Sequence, residues 1–305
     1  MGDWREDLLR YLPSAVRRRI QELSALQACA LLELRVRAEQ RVEWVTDEES
    51  TLLEWRPSAA EVQSLLAALC EHSLYARQDE LCQGFLTVRG GHRIGVCGRV
   101  AVQEGRITGL HSVGSLCVRI ARPVPGAADA LMPRLFDEEG HPKSTLVLSP
   151  PGCGKTTVLR DAARQLSDIR GQHVCVADER SELCGAVDGV PQMPVGGRTD
   201  VMDGCPKAQA MQMLLRAMSP QWIVTDEIGR EEDAQAVLEA LRCGVSVLAS
   251  AHADSIEALR GRPVLRRLME EGAFSGYVLL ADRGRIKACF DAAGQAVARA
   301  AEGLS

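Results

Sequence analysis

The chain has 305 residues, 46% of them hydrophobic and 25% charged, with a formal net charge of −5 and a pI near 5.8. That length supports a sizeable core in one large domain or two ordinary ones, and the composition is that of a soluble globular protein. The acidic balance and an aromatic content of 4% argue against general nucleic-acid binding, and no run approaches the ~18 apolar residues of a membrane span. The opening MGDWREDLLRYL carries acids among its apolar positions and reads as an amphipathic helix, not a signal peptide. Glu6 stands where myristoylation needs Ser or Thr. One or two helices are expected up to about residue 28, with the basic run Val16 to Ile20 on a solvated face. Leu31 to Glu49 alternates apolar and polar residues, a strand signal. Ser58 to Cys70 predicts a helix, with Ser58 as N-cap, Glu61 closing a capping box and Val62, Leu65, Leu66 and Leu69 on one face. A helical segment is expected from Tyr75 to Leu81. Gly84 to Leu110 breaks into short β-rich runs at Gly-Gly and Glu-Gly, a hairpin or meander, and Ser115 to Ile120 reads as a further strand. Residues 1–122 therefore predict an N-terminal α+β domain without chemistry of its own. The break Arg122-Pro123-Val124-Pro125-Gly126 sets its boundary. Residues 123–144 read as a linker with a lead-in helix, Ala127 to Phe136, and 145–305 as the second domain.

From Thr145 onward strands and helices alternate. Strand signals fall at Thr145–Leu148, His173–Ala177, Trp222–Thr225 and Val245–Ala249; helical patterns fall at Thr157–Ser167, Pro206–Met218 and Glu231–Arg242. This alternation predicts an α/β domain, a mostly parallel sheet with helices on both faces. Gly276–Ala281 and Arg285–Ala292 predict a closing hairpin around Asp282-Arg283-Gly284, and the Ala-rich tail after Gly294 reads as frayed helix. Ligands of such sheets bind beyond the C-terminal strand ends. There lies Ser149-Pro150-Pro151-Gly152-Cys153-Gly154-Lys155-Thr156-Thr157, between an apolar strand and a helix start. A strand, a Gly-rich turn and a helix N-terminus form a phosphate cradle, so ATP with Mg²⁺ is the expected ligand pair. Pro150 to Thr157 line it, Lys155 reaches the β- and γ-phosphates, and Thr156 offers its hydroxyl to Mg²⁺. Ser149 departs from the GxxxxGK[ST] pattern, which has Gly at that position.

Three more strand ends carry polar groups. Asp226-Glu227 follow Trp222–Thr225: Asp226 suits Mg²⁺, through water, and Glu227 can polarise the attacking water. Asp178-Glu179 end a second strand, and Ser250-Ala251-His252 a third, where a histidine can bond the γ-phosphate. Arg93, Arg99, Arg119 and Arg122 are mostly solvated in this reading, with one or two placed to reach a nucleotide on a neighbouring subunit. The eleven cysteines form no C-x₂-C pair, the usage of free thiols in a reducing cytoplasm, and no structural zinc site is expected.

The succession of P-loop, acidic box, Asp-Glu and histidine box resembles the type II and type IV secretion and pilus motor ATPases. More specifically, His72–Val100, Ser115–Val124, Asp178–Gly185, Arg198–Lys207 and Ala251–Leu259 are similar to the stage III sporulation protein AA family. That resemblance covers nearly the whole chain. It implies a RecA-like P-loop ATPase core, a homo-oligomer in the form of a hexameric ring, and ATP hydrolysis. It also implies a cytoplasmic place at the mother-cell side of the channel into the forespore, with a small membrane protein of that channel as partner and no nucleic acid. Carried over by position, Lys155, Glu227, Glu179 and His252 are the catalytic set, Thr156 and Asp226 hold Mg²⁺, and Arg198 contacts phosphate. Two other readings stay open: a nucleic-acid-binding P-loop ATPase, and a scaffold that binds nucleotide with little turnover, which only Ser149 suggests. A small-molecule kinase is disfavoured because no acceptor-binding lid is recognisable.

Overall fold

The computed structural model describes residues 4–75 and 77–297. Its contacts divide the chain into two compact units, Met1–Arg122 and Pro123–Ser305.

The first unit begins with three short helices, α1 (Trp4–Leu9), α2 (Ser14–Gln21) and α3 (Ala25–Ala30). They precede the strands β1 (Leu31–Arg37), β2 (Glu43–Thr46) and β3 (Ser50–Leu52). Helix α4 (Ala59–Leu69) starts where the sequence placed its cap: Ser58 accepts from the Glu61 amide, and the Glu61 side chain accepts from the Ser58 amide. Its apolar stripe, Val62, Leu65, Leu66 and Leu69, is buried. The segment expected to be helical from Tyr75 shrinks to α5 (Gln78–Cys82). Then come β4 (Phe85–Val88), β5 (His92–Gln103) and β6 (Arg106–Arg119). The strand expected at Ser115–Ile120 is the second half of β6, which runs on through bulges opposite Cys97, Arg99 and Ala101. The strands form one antiparallel sheet in the order β3-β2-β1-β6-β5-β4. Leu31, Leu34 and Val36 of β1 join the helices in a single core. Glu33 beside them bonds Arg35 and Arg119 at 2.8 and 3.1 Å.

The second unit opens with turns and a one-turn 3₁₀ segment at Met132–Arg134, not the lead-in helix expected over Ala127–Phe136. Its elements are β7 (Thr145–Ser149), α6 (Lys155–Asp168), β8 (Val174–Asp178), β9 (Thr199–Asp203), α7 (Lys207–Ala217), β10 (Trp222–Thr225), α8 (Glu231–Arg242), β11 (Ser246–His252), α9 (Ile256–Arg260), α10 (Pro263–Glu270), β12 (Gly276–Leu280), β13 (Ile286–Asp291) and β14 (Ala296–Val297). The eight-stranded order is β14-β13-β12-β7-β11-β10-β8-β9. Every pairing from β12 to β9 is parallel, and β13 and β14 add antiparallel at the edge. Strand β14 replaces the start of the frayed helix expected after Gly294; the rest of that tail lies outside the described residues. The interior strands are apolar on both faces, as a covered parallel sheet requires. Leu146 and Leu148 enter the core under α7 and α8, and Val147 enters the opposite core under α6.

Candidate active site

Parallel register sets the site. Ser149 at the end of β7 pairs with His252 at the end of β11. Thr225 of β10 pairs with Ala249 on one side and Ala177 of β8 on the other, and Asp178 pairs with Asp203 of β9. Ser149, His252, Asp226, Asp178 and Asp203 thus share the C-terminal edge of one sheet.

After Ser149 the chain must turn sharply into α6, and it does so through left-handed Gly152 and Gly154, φ 79° and 89°. A Cβ on Gly154 would stand 3.1 Å from the Gly284 nitrogen, whereas one on Gly152 would meet open space. None of the backbone amides from Gly152 to Thr157 has an acceptor among the described residues, as expected of a helix start without a capping side chain. The Thr156 hydroxyl, half-buried, also has no partner among the described residues. Unpaired amides aimed by a helix N-terminus suit phosphate oxygens, so the cradle fits a nucleotide triphosphate.

Lys155 is 6% exposed. Its ammonium donates to Ser149 O at 3.2 Å, Ser149 Oγ at 3.1 Å, Pro150 O at 3.2 Å and His252 Nδ1 at 2.9 Å. Burial lowers its pKa, opposed by Glu227 and other nearby acidic groups. Because an ammonium only donates, His252 Nδ1 accepts, and the ring hydrogen sits on Nε2. That nitrogen lies 2.5 Å from Glu227 Oε1. Lys155, His252 and Glu227 therefore form one hydrogen-bonded row. Ser149 acquires a role here: its hydroxyl donates to Pro150 O at 2.7 Å and offers a lone pair to Lys155.

Asp226 is 5% exposed and Lys207 likewise. Burial raises the Asp226 pKa; Lys207 opposes this, while Glu182 and Glu227 add to it. Glu227 itself sits at φ 38°, a left-handed conformation uncommon for residues with a side chain. Its amide donates to Ser250 Oγ at 3.1 Å.

The acidic box is divided between two tasks. Asp178 is fully buried and accepts from the amides of Glu182 and Cys184 at 2.9 and 2.8 Å. Burial, with Asp226 and Asp203 nearby, pushes its pKa to about 6 against those hydrogen bonds. It therefore shapes the 179–184 loop from inside. Glu179 bonds Arg230 at 3.3 Å and makes no contact with the Lys155–His252–Glu227 row. Arg198 lies apart from the other candidates: its amide donates to Ser167 Oγ and its guanidinium to Ser167 O, at 2.7 and 3.3 Å. Ser167 is in the last turn of the 14-residue α6, about 18 Å along the helix from Lys155, so these bonds hold Arg198 at the end of α6 remote from the cradle.

In the sequence alone Lys207 and Asp203 have no part in the site, and Asp282–Gly284 reads only as the turn of a closing hairpin. Lys207 shows itself only as a lysine after a proline at a helix start, and nothing local announces its burial. Asp282–Gly284 joins β12 to β13 against the cradle: the Gly284 amide donates to Cys153 O at 2.8 Å, and Asp282 Oδ1 lies 3.7 Å from Cys153 Sγ. A cavity of about 480 Å³ opens between the starts of α7 and α8, lined by Lys207, Arg230 and Asp233 among others, and does not include the cradle.

Known proteins fit this arrangement. The family model described as "Sporulation stage III, protein AA" matches residues 2–297. Stage III sporulation protein AA of Bacillus subtilis (strain 168) is 39% identical over 300 residues, 96% of this chain and 97% of that protein. Among solved structures, the ATPase DotB of Legionella pneumophila is similar with a TM-score of 0.57 at 14% identity, over 88% of this chain and 77% of that one. The pilus retraction motor PilT, solved with bound ADP, gives 0.53 at 16%, over 85% and 78%. At such identities the likeness is one of fold, a RecA-like α/β ATPase core with a preceding α+β domain. With its full-length match to the family model and to a curated relative, the chain belongs to the stage III sporulation protein AA family.

Proposed function

We propose that the chain is an ATP-hydrolysing motor of the secretion-ATPase kind. The row Lys155–His252–Glu227, set beside the unpaired amides of Gly152 to Thr157, carries this reading. ATP binds with its phosphates on those amides, and Lys155 exchanges its protein acceptors for the β- and γ-phosphates. Thr156 and Asp226 hold Mg²⁺, which when bound neutralises charge on the phosphates. Glu227 polarises the attacking water, and His252 Nε2–H keeps its carboxylate in place. Once Lys155 has moved, His252 Nδ1 is free to bond elsewhere, so the ring registers whether the γ-phosphate is present. Glu179, paired with Arg230, stands by family position as the acidic-box member of the catalytic set.

The working form is a homo-oligomer, a hexameric ring. Of the four arginines singled out in the first unit, Arg99 is exposed and without an ion pair among the described residues, and is the one assigned to serve a neighbouring subunit. Arg119 and Arg122 are engaged within that unit, and Arg93 lies over the Phe85 ring. Family membership supports a place at the cytoplasmic face of the mother-cell membrane, at the channel into the forespore, with a small membrane protein as partner.

ATP hydrolysis by wild type, Lys155→Ala and Glu227→Gln tests the site. Lys155→Ala loses nucleotide affinity; Glu227→Gln binds nucleotide and turns over about a hundredfold more slowly or worse. Variants as fast as wild type would refute the assignment. Mass measurement with a non-hydrolysable ATP analogue tests the ring, and a monomer with and without it would sink that part.

A further inference from the structure

Lys207 is the first residue of α7, where a cation opposes the helix dipole. It is also 5% exposed, and burying an ammonium is unfavourable unless its donors are well used. Its partners show what it is for. Nζ bonds the main-chain oxygen of Asp226, the main-chain oxygen of Glu227 at 2.9 Å, and Asp226 Oδ1 at 3.5 Å. A lysine kept only as counter-ion to Asp226 would sit closest to the carboxylate. Here the carboxylate is the most distant of the three, and the two consecutive carbonyls are nearer.

Those carbonyls flank the left-handed residue of the site. Glu227 at φ 38° turns the chain sharply between the end of β10 and Ile228. From the other side, Ser250 holds the same stretch: its hydroxyl accepts from the Glu227 amide at 3.1 Å, and its carbonyl from the Ile228 amide at 2.8 Å. Ser250 thus fixes two N–H groups and Lys207 two C=O groups of one short segment. The Glu227 side chain, 42% exposed, has little packing to orient it, so beyond its bond to His252 its direction is set by its backbone.

We infer that Lys207 is a positioning residue for water activation, clamping the backbone of Glu227 in the left-handed turn that aims its carboxylate at His252. This rests on the assignment of Glu227 above. Lys207 touches neither the cradle amides nor Lys155, so its effect falls on turnover and leaves nucleotide affinity alone.

The test is a double-mutant cycle on the full chain, with kcat at saturating ATP over a range of Mg²⁺ concentrations and nucleotide Kd measured for wild type, Lys207→Met, Glu227→Gln and the double variant. Lys207→Met is expected to lower kcat ten- to hundredfold with Kd within about threefold of wild type. The double variant is expected to be no slower than Glu227→Gln alone, because Lys207 acts through that carboxylate. Three outcomes overturn the proposal: an unchanged kcat, losses that multiply in the double variant, or a defect that excess Mg²⁺ repairs, which would make Lys207 a counter-ion to Asp226. If Lys207→Met fails to fold, Ser250→Ala decides, since it removes the opposite side of the clamp; a kcat equal to wild type refutes the idea. If Glu227→Gln itself hydrolyses at the wild-type rate, the error lies in the site assignment and not in the clamp.

Discussion

Replacing His92 by asparagine flattens the acid limb of this protein's stability. His92 opens β5 and is 1% exposed. Its Nδ1 accepts the Ala121 amide at 3.0 Å; its Nε2 has no hydrogen-bond partner among the described residues, and the Asp7 carboxylate, at 3.9 Å, is too distant for one. Burial, with a smaller push from Arg122, lowers the imidazole pKa from 6.5 to about 4. Above pH 6.5 neither the folded nor the unfolded chain carries the proton, and the residue contributes nothing to pH dependence. Between 6.5 and 4 the unfolded chain takes up a proton that the folded one refuses. The folded state then loses about 1.4 kcal/mol per pH unit, about 2 kcal/mol by pH 5 and about 3 kcal/mol near pH 4. Asparagine keeps an acceptor for the Ala121 amide and does not titrate. Asp178 has the opposite sign: its pKa is raised from 3.8 to about 6, so its contribution is present below 3.8 and lost as pH rises through 6. It is common to both proteins and cancels in their difference. Urea unfolding of wild type and His92→Asn, followed by tryptophan fluorescence at pH 5, 6, 7 and 8, reads that difference. A constant offset above pH 7 is expected, shifting about 2 kcal/mol in favour of the variant by pH 5. Parallel curves over the whole range would show that the ring titrates alike in the folded and unfolded chains, and the burial argument would fail.

Three other substitutions probe the second unit. Ser149→Ala removes one of four acceptors around the Lys155 ammonium. A charge-assisted bond of about 1.5 kcal/mol lost from the empty state raises affinity for a fluorescent ATP analogue about tenfold; unchanged or weaker binding argues against the tether. Gly154→Ala puts a Cβ at φ 89°, 3.1 Å from the Gly284 nitrogen, and should cost about 1–3 kcal/mol of strain, read as nucleotide binding about five- to 150-fold weaker. Arg160→Met strips two hydrogen bonds from the Leu183 and Glu182 carbonyls. About 3 kcal/mol of stability should go with them, and faster hydrogen exchange at the Glu182 and Cys184 amides; wild-type protection at those amides would show that the loop holds without it.

Elements whose signal is local could be read from the sequence. The α4 capping box lies within four residues. Strand β10 and helix α8 have the bounds expected, because an apolar run and a 3.6-residue stripe define them. Strand β9 was missed because Thr-Asp-Val-Met-Asp at a sheet edge stays only partly buried, so neither apolar alternation nor a solid apolar run marks it. Helices α9 and α10, of five and eight residues, are too short for a convincing period. In the site, the strand ends that bear polar groups were recognisable, but their division of labour was not. Asp178 and Glu179 are neighbours in sequence, yet strand alternation turns one into the fold and leaves the other on Arg230. Arg198 followed family position alone, and the parallel pairing of β9 sends it to the opposite end of the sheet from the cradle. Lys207 and Ser250 meet the Asp226-Glu227 segment from separate elements, a convergence that only tertiary structure supplies.

The bond from the Gly284 amide to Cys153 O makes the β12–β13 turn part of the cradle's wall. Its neighbours leave no slack: a Cβ on Gly284 would come within 2.7 Å of Val158. Two events remote in sequence therefore share one free-energy balance. Any displacement of the Cys153 carbonyl by phosphates on the Gly152–Thr157 amides is passed to the turn through this bond, and any displacement of the turn is passed back. By thermodynamic reciprocity, the factor by which nucleotide changes a grip on the turn equals the factor by which the grip changes nucleotide affinity. The Asp282–Gly284 turn is thus the point at which a grip from outside would tighten or loosen the cradle without entering it.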